Sequence, residues 1–338
     1  MKTRAKVILC CALSALALLL AMGVGSVAIA PMDTVRIIAS RLGQTTLPEA
    51  LSTKAGILWG LRMPRALMAF LVGAALASSG AVMQSVLRNP LASSYTLGVS
   101  SGASLTAAFT MVLGWHFLGG VTLPAMGFAG GLATVFLALA LTARFDRGLS
   151  NHTVILTGMV LSLFVNAVLT VITSLSSDHL KQLIFWQMGS FSGRSFGECG
   201  VMAIVLVLGL TVLLRYAPEM DLLSFGEEQA LSAGVEIRHV KTLLISLCAL
   251  LTGAAVSFVG VIGFVDLIAP HVTRRVFGSR HRLVLPMSAV FGGGFMALAD
   301  LLSRTVLSPR ELPVGAVTAL IGAPFFAYVY FRREDRKC

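Results

Sequence analysis

The strongest candidate for chemistry in this chain is a single carboxylate in an apolar stretch, Asp266 in Gly263-Phe-Val-Asp-Leu-Ile-Ala-Pro-His271. An ionisable group inside a membrane segment can carry protons, and His271 five residues on would extend such a relay. The same carboxylate also suits a structural role, held by a hydrogen bond or by an arginine, with Arg274 or Arg275 the expected partner. Asp300 stands four residues before Arg304, the helical spacing of a local ion pair. Nucleotide hydrolysis has no basis here: G-x-x-x-x-G-K-[ST] is absent, and no lysine follows a glycine. Cys10, Cys11, Cys199, Cys248 and Cys338 make no C-x-x-C pair or Cys/His cluster, so neither a disulfide frame nor a metal site is expected.

The elements that must position these residues are written in the charge pattern. From 89 to 143 there is no Asp, Glu, Lys or Arg. A bilayer core takes about 20 apolar residues per helix, so this stretch holds two spans, with a turn near His116–Pro124. Further charge-free windows are 7–32, 66–87, 148–177, 199–214, 242–265, 283–299 and 312–331. Backbone polar groups in lipid must be satisfied within their own segment, so each window reads as a helix. With a short helix near 266–277, the expectation is an all-α polytopic membrane protein of about ten transmembrane helices. Lys2, Arg4 and Lys6 before an apolar run ending near Ala28-Ile-Ala30 also fit a cleaved signal peptide. That run is about twice the usual core of roughly 7–15 residues, which favours a retained span.

Net charge of +11 is read as orientation rather than nucleic-acid affinity. With both termini in the cytoplasm, most Lys and Arg fall inside, including Arg144/Arg147, Arg274/Arg275 and Arg332/Arg333/Arg336/Lys337. The exception is the first external loop, where Arg36, Arg41, Lys54, Arg62 and Arg65 crowd together near Asp33 and Glu49. Either these are solvated loop charges, or they dock an acidic external partner.

A shift of 180 residues pairs Gly73-Ala-Ala75 with Gly253-Ala-Ala255, Gly80 with Gly260, Pro90 with Pro270 and Gly98 with Gly278. Five spans separate the copies, which makes the repeat an inverted one, a mark of transporters. The longest polar insert, 215–241, reads as two short helices broken at Phe225-Gly226 and stopped at Gly234. It is either a solvated loop or a rigid knob that a partner could push.

Leu61-Arg-Met-Pro-Arg65, Arg88-Asn-Pro-Leu-Ala92 with Thr96-Leu-Gly-Val-Ser-Ser-Gly-Ala103, Phe185-Trp-Gln-Met-Gly-Ser-Phe191 and Glu311-Leu-Pro-Val-Gly315 carry a family resemblance. Together with the Gly263–His271 block they resemble permease subunits of ATP-binding-cassette importers for iron-siderophores, haem and cobalamin, over nearly the whole chain. The resemblance implies one permease domain over 1–338 in a bacterial cytoplasmic membrane, acting with a second permease copy or paralogue. It implies a cytoplasmic ATPase dimer and an extracytoplasmic substrate-binding protein as partners, and no cofactor on the permease itself. By position, Arg62, Arg65 and Arg304 match the family's docking arginines; Glu227, Glu228 and Gly234 match its ATPase-coupling loop. Asn89 and Leu91, with Asn151 and His152, match its cytoplasmic gates. Where this chain has Asp266, many members of the family carry glycine. Of the possible substrates, an iron-siderophore fits the 96–103 and 185–191 blocks best. The rival class is a secondary transporter that couples protons through Asp266; a membrane sensor or scaffold would leave the repeat unexplained.

Overall fold

The computed structural model describes residues 3–25, 27–43, 48–146, 148–176 and 179–334. Lys2, Arg147, Arg336, Lys337 and Cys338 lie outside them. The described residues are helical, without strands.

Apolar runs fold as helices because nothing else satisfies a backbone in lipid. The first is α1 (Thr3–Gly23), packed into the bundle against α14, with the Ser14 hydroxyl donating to the Val290 carbonyl at 2.9 Å. The first loop is more ordered than its polar sequence suggests, holding α2 (Pro31–Leu42) and α3 (Ser52–Ile57). The α3 helix continues through a wide turn, Leu58–Arg62, into α4 (Met63–Val86). After an irregular segment, α5 (Val99–Val112) and α6 (Thr122–Phe145) flank the expected turn. Then come α7 (Asn151–Leu175), the short α8 (Leu180–Gln187) and α9 (Phe196–Arg215). The polar insert forms α10 (Ala217–Phe225) and α11 (Glu227–Ser232), broken at Gly226 and ended at Gly234, both at positive φ. The remainder is α12 (Ile237–Val259), α13 (Val265–Phe277), α14 (His281–Thr305) and α15 (Val314–Glu334).

Among the described residues seven helical stretches are long and apolar enough to cross a membrane; α5 and α15 are shorter apolar helices. Within the 89–143 stretch α6 is long enough to span, and α5 is a shorter apolar helix. The first part, 89–98, is a turn followed by a single 3-10 turn at Ser94–Leu97, and α5, with 14 residues, rises only about 21 Å. Arg88 at φ 48° and Gly98 at φ 89° turn the chain where a helix would have continued.

The centre of the bundle is α4, almost wholly buried and packed chiefly on α14. A Cβ at Gly73 would collide with the Gly292 carbonyl, so glycine is what lets these two helices touch. The packing is duplicated: α4 lies on α14 and α5 on α6, while α12 lies on α6 and α13 on α14. Helix boundaries do not follow the residue match throughout. Gly260 at φ 77° ends α12 early, so Pro270 falls inside α13, whereas its counterpart Pro90 sits in a turn.

Candidate functional site

At the end of the bundle where α4 begins, the three arginines singled out in sequence come together around one cavity of about 600 Å³. Arg194, Ser192 and Glu311 also line it. Each guanidinium has work inside the chain. Arg62, 6% exposed, donates to the carbonyls of Gly23 at 2.7 Å and Val27 at 2.5 Å, closing the open C-terminal end of α1. Arg304 donates to the neighbouring carbonyl of Ala21. Arg65 forks onto Asp300 at 2.9 Å and Glu311 at 2.8 Å. The expected Asp300–Arg304 pair is present but longer, 3.6 Å, and the Arg304 Nε has no hydrogen-bond partner. Four arginines thus line the cavity against one lining carboxylate, Glu311, itself half exposed. Lys54, by contrast, pairs with a partly buried Asp33 at 3.2 Å, and Arg41 covers the Trp59 ring at 4.7 Å.

At the opposite end of α4 lie the polar insert and the two segments expected to act as gates. Asn89 accepts from the Leu91 N–H at 2.9 Å, and Leu91 projects outward, 57% exposed. Asn151 opens α7, with His152 exposed beside it. Between α6 and α7, Asp146 accepts from the backbone N–H groups of Gly148 at 2.9 Å and Ser150 at 3.0 Å. Hydrogen bonds from the Ser150 hydroxyl, then from these backbone groups, hold its carboxyl down at about 2. The group therefore stays ionised at any pH a cell presents, and the loop it ties keeps its form. Leu149 within that loop is buried at φ 51°.

Glu227, Gly234 and Glu228 take the positions expected on the insert, Gly234 at φ 86° ending α11. The side chain that joins them to the bundle is the lysine that closes the polar insert. Lys241 is fully buried; its Nζ donates to Glu227 at 2.7 Å, Asn151 Oδ1 at 2.8 Å and the Leu149 carbonyl at 2.9 Å. A second link starts at Asp221, which accepts from the His281 backbone N–H at 2.9 Å and contacts its Nδ1 at 2.5 Å. His281 Nε2 meets the Ser85 hydroxyl at 2.5 Å, and Arg274 donates to the same hydroxyl at 2.6 Å. A signal for both was available: Lys241 and His281 occupy the buried stripes of α12 and α14, where 3.6-residue periodicity calls for apolar side chains.

Asp266 does not pair with Arg274 or Arg275. It accepts from the Ser93 hydroxyl, while Arg274 is taken up by Ser85 and the Ala81 carbonyl at 2.9 Å. The reason is distance: eight residues along α13 is about 12 Å, which carries Arg274 to the other end of the helix. A Cβ at Gly80 would strike the Asp266 carbonyl, so α13 starts in contact with α4. Tyr95 donates to the Ile262 carbonyl at 2.9 Å, binding the two irregular segments to each other. His271 faces Phe325 and Phe326 of α15. No group of three or more His, Cys, Asp or Glu suited to a metal occurs among the described residues.

A lipid-spanning helical bundle with broken segments near its middle and charge concentrated at its two ends is the plan of a multi-pass transport permease. The chain belongs to the FecCD transport family, whose model matches residues 13–332. It is 42% identical over 82% of its length to an uncharacterized ABC transporter permease protein of Bacillus subtilis, covering 79% of that protein. Identity is 41% to the cobalamin import system permease protein of Halobacterium salinarum, over 82% of this chain and 73% of the relative. It is 36% to the hemin transport system permease protein of Yersinia pestis, over 82% and 84%. Among solved structures, an ABC transporter assigned to the metal-chelate type, in an inward-facing conformation, superposes with a TM-score of 0.82. That likeness has 28% identity and covers 97% of this chain and 99% of the other.

Proposed function

We propose that this chain is the membrane-spanning subunit of an ABC importer for a bulky metal chelate, of the iron-siderophore type. Membership in a family of ABC permeases gives the class. The relatives named for cobalamin and hemin, and the metal-chelate type of the structural neighbour, favour a large ligand built around a metal. The 96–103 and 185–191 blocks narrow this toward siderophores.

The observation that carries the mechanism is the separation of functions along α4. At its N-terminal end, taken as external, the cavity concentrates four arginines against one lining carboxylate, Glu311. An acidic side chain of an extracytoplasmic binding protein would complement that charge. Arg65, Arg194 and Arg304 are the groups placed to meet it; Arg62 contributes by holding the rim. At the other end, taken as cytoplasmic together with both termini, the 217–232 knob receives a separate ATPase dimer. Glu227 and Glu228 lie at its second helix and Gly234 at its exit. Closure of the ATPase displaces the knob, and the segments at Asn89/Leu91 and Asn151/His152 open a path shared with a second permease copy. This chain binds no ATP itself. Asp266, buried against Ser93, serves packing between α13 and the 88–98 segment rather than proton transfer.

The test is reconstitution with the ATPase and binding protein, followed by uptake of ferric siderophore, haem or cobalamin. ATP-dependent uptake of the ferric chelate is expected, with Arg65→Glu weakening binding-protein affinity. Uptake of cobalamin alone would move the substrate. Uptake in vesicles without ATPase, abolished by Asp266→Asn, would overturn the class of transport.

A further inference from the structure

Two polar links leave the 217–232 knob, each buried at its bundle end, and they end at different places. From α10, Asp221 holds His281, whose other ring nitrogen meets Ser85 at 2.5 Å. Ser85 sits at the last turn of α4, and the N–H of Arg88 bonds its carbonyl at 3.2 Å, one residue before Asn89. Arg274 joins the same hydroxyl, so α13 shares this node. From α11, Glu227 holds Lys241, which bonds Asn151 and the Leu149 carbonyl directly. Each link therefore ends beside one gate segment, and beside one non-glycine residue in the left-handed region: Arg88 at φ 48° and Leu149 at φ 51°. Such conformations persist only where surrounding contacts overdetermine them, so the form of each segment depends on the contacts that hold it.

We infer that the knob operates the two gate segments separately. α10 positions the 89–91 segment through Asp221, His281 and Ser85; α11 positions the 151–152 segment through Glu227 and Lys241. Asp266 completes the first arm by fixing Ser93, the far side of the same segment, to α13. Asp221, His281 and Lys241 are positioning residues, acting through the gates without touching substrate. Short links of this kind transmit displacement because a buried charge cannot exchange its partner for water at low cost. The scheme rests on the permease reading above, in which the ATPase pushes the knob.

The experiment uses the complete complex with its ATPase and single thiol reporters at the two exposed gate positions, Leu91→Cys and His152→Cys. Labelling by a charged maleimide is compared without nucleotide and with ATP plus vanadate. Asp221→Ala reduces the nucleotide-driven change at position 91 by about tenfold, the effect of losing one charge-assisted hydrogen bond, and leaves that at 152 within about twofold. Lys241→Met does the reverse, and Lys241→Arg restores it. If Lys241→Met does not assemble, Glu227→Gln breaks the same arm from its more exposed side and shows the same selectivity. Equal loss at both reporters in either variant would reduce these residues to structural cement and overturn the inference. No change at either reporter would do the same. Wild-type reporters that ignore nucleotide altogether would remove the permease reading and the two arms with it.

Discussion

The two ends of α4 bury charge in opposite styles. At the arginine end, Arg65 and Arg304 converge on Asp300, Arg62 caps α1, and the cavity lining is left with excess positive charge. At the knob end, every buried cation or imidazole has a named acceptor within the chain: Lys241 has Glu227, and His281 has Asp221. Excess positive charge in a cavity lining suits a partner's carboxylates; buried pairs closed within the chain suit passing movement from the knob to the bundle. Under the function proposed above, the first end recognises and the second transmits.

The comparison can be broken most severely at Asp300. Asp300→Ala would leave two guanidinium groups facing each other in a buried site, at a cost of about 3–5 kcal/mol, read as loss of the thermal transition in detergent. A variant as stable as the parent would show that the arginine end does not depend on its buried carboxylate. Lys241→Met should cost less, about 2 kcal/mol, because Glu227 is a third exposed and can regain water. If Lys241→Met proved the more damaging of the two, the knob end would be the structural keystone. Arg62→Lys should destabilise by about 1–2 kcal/mol, since one ammonium cannot reproduce the fork onto Gly23 and Val27. Glu311→Gln sharpens the contrast from the other direction. It releases one arm of Arg65 and should tighten binding-protein association by about threefold, measured by titration at low salt. Weaker association would mean that Glu311 organises the docking surface. The smallest effect is at Lys54→Ala, under about 1 kcal/mol, because its pair with Asp33 is only partly buried and stays within reach of water.

The long helices were legible because lipid leaves an apolar backbone one solution. The break at Phe225-Gly226 and the stop at Gly234 were legible because glycine marks them directly. The 89–98 segment was not: its lack of charge matched a span, yet its backbone is satisfied by local turns, the Leu91 N–H on Asn89 Oδ1 and the Tyr95 N–H on the Ser93 hydroxyl, while the Ser93 and Tyr95 hydroxyls tie it to Asp266 and Ile262. Helices α2 and α8 were hidden for the opposite reason, being short pieces in polar connections. Spacing brought Arg62, Arg65 and Arg304 together only through the family resemblance. That Arg62 is spent on carbonyls of the first loop depends on a contact no local pattern encodes. The partner of Asp266 lies 173 residues away and is a serine, a residue too common to stand out.

Helix α1 has an unusual dependence on time. Its last carbonyls are closed by Arg62, 39 residues later, and by Arg304, 283 residues after Ala21. At a synthesis rate of about 5–20 residues per second, roughly 15–60 s separate its emergence from the arrival of that second clasp. A segment made early is thus finished late. During biogenesis it must wait, half-sealed, for those 283 residues to follow it into the bilayer.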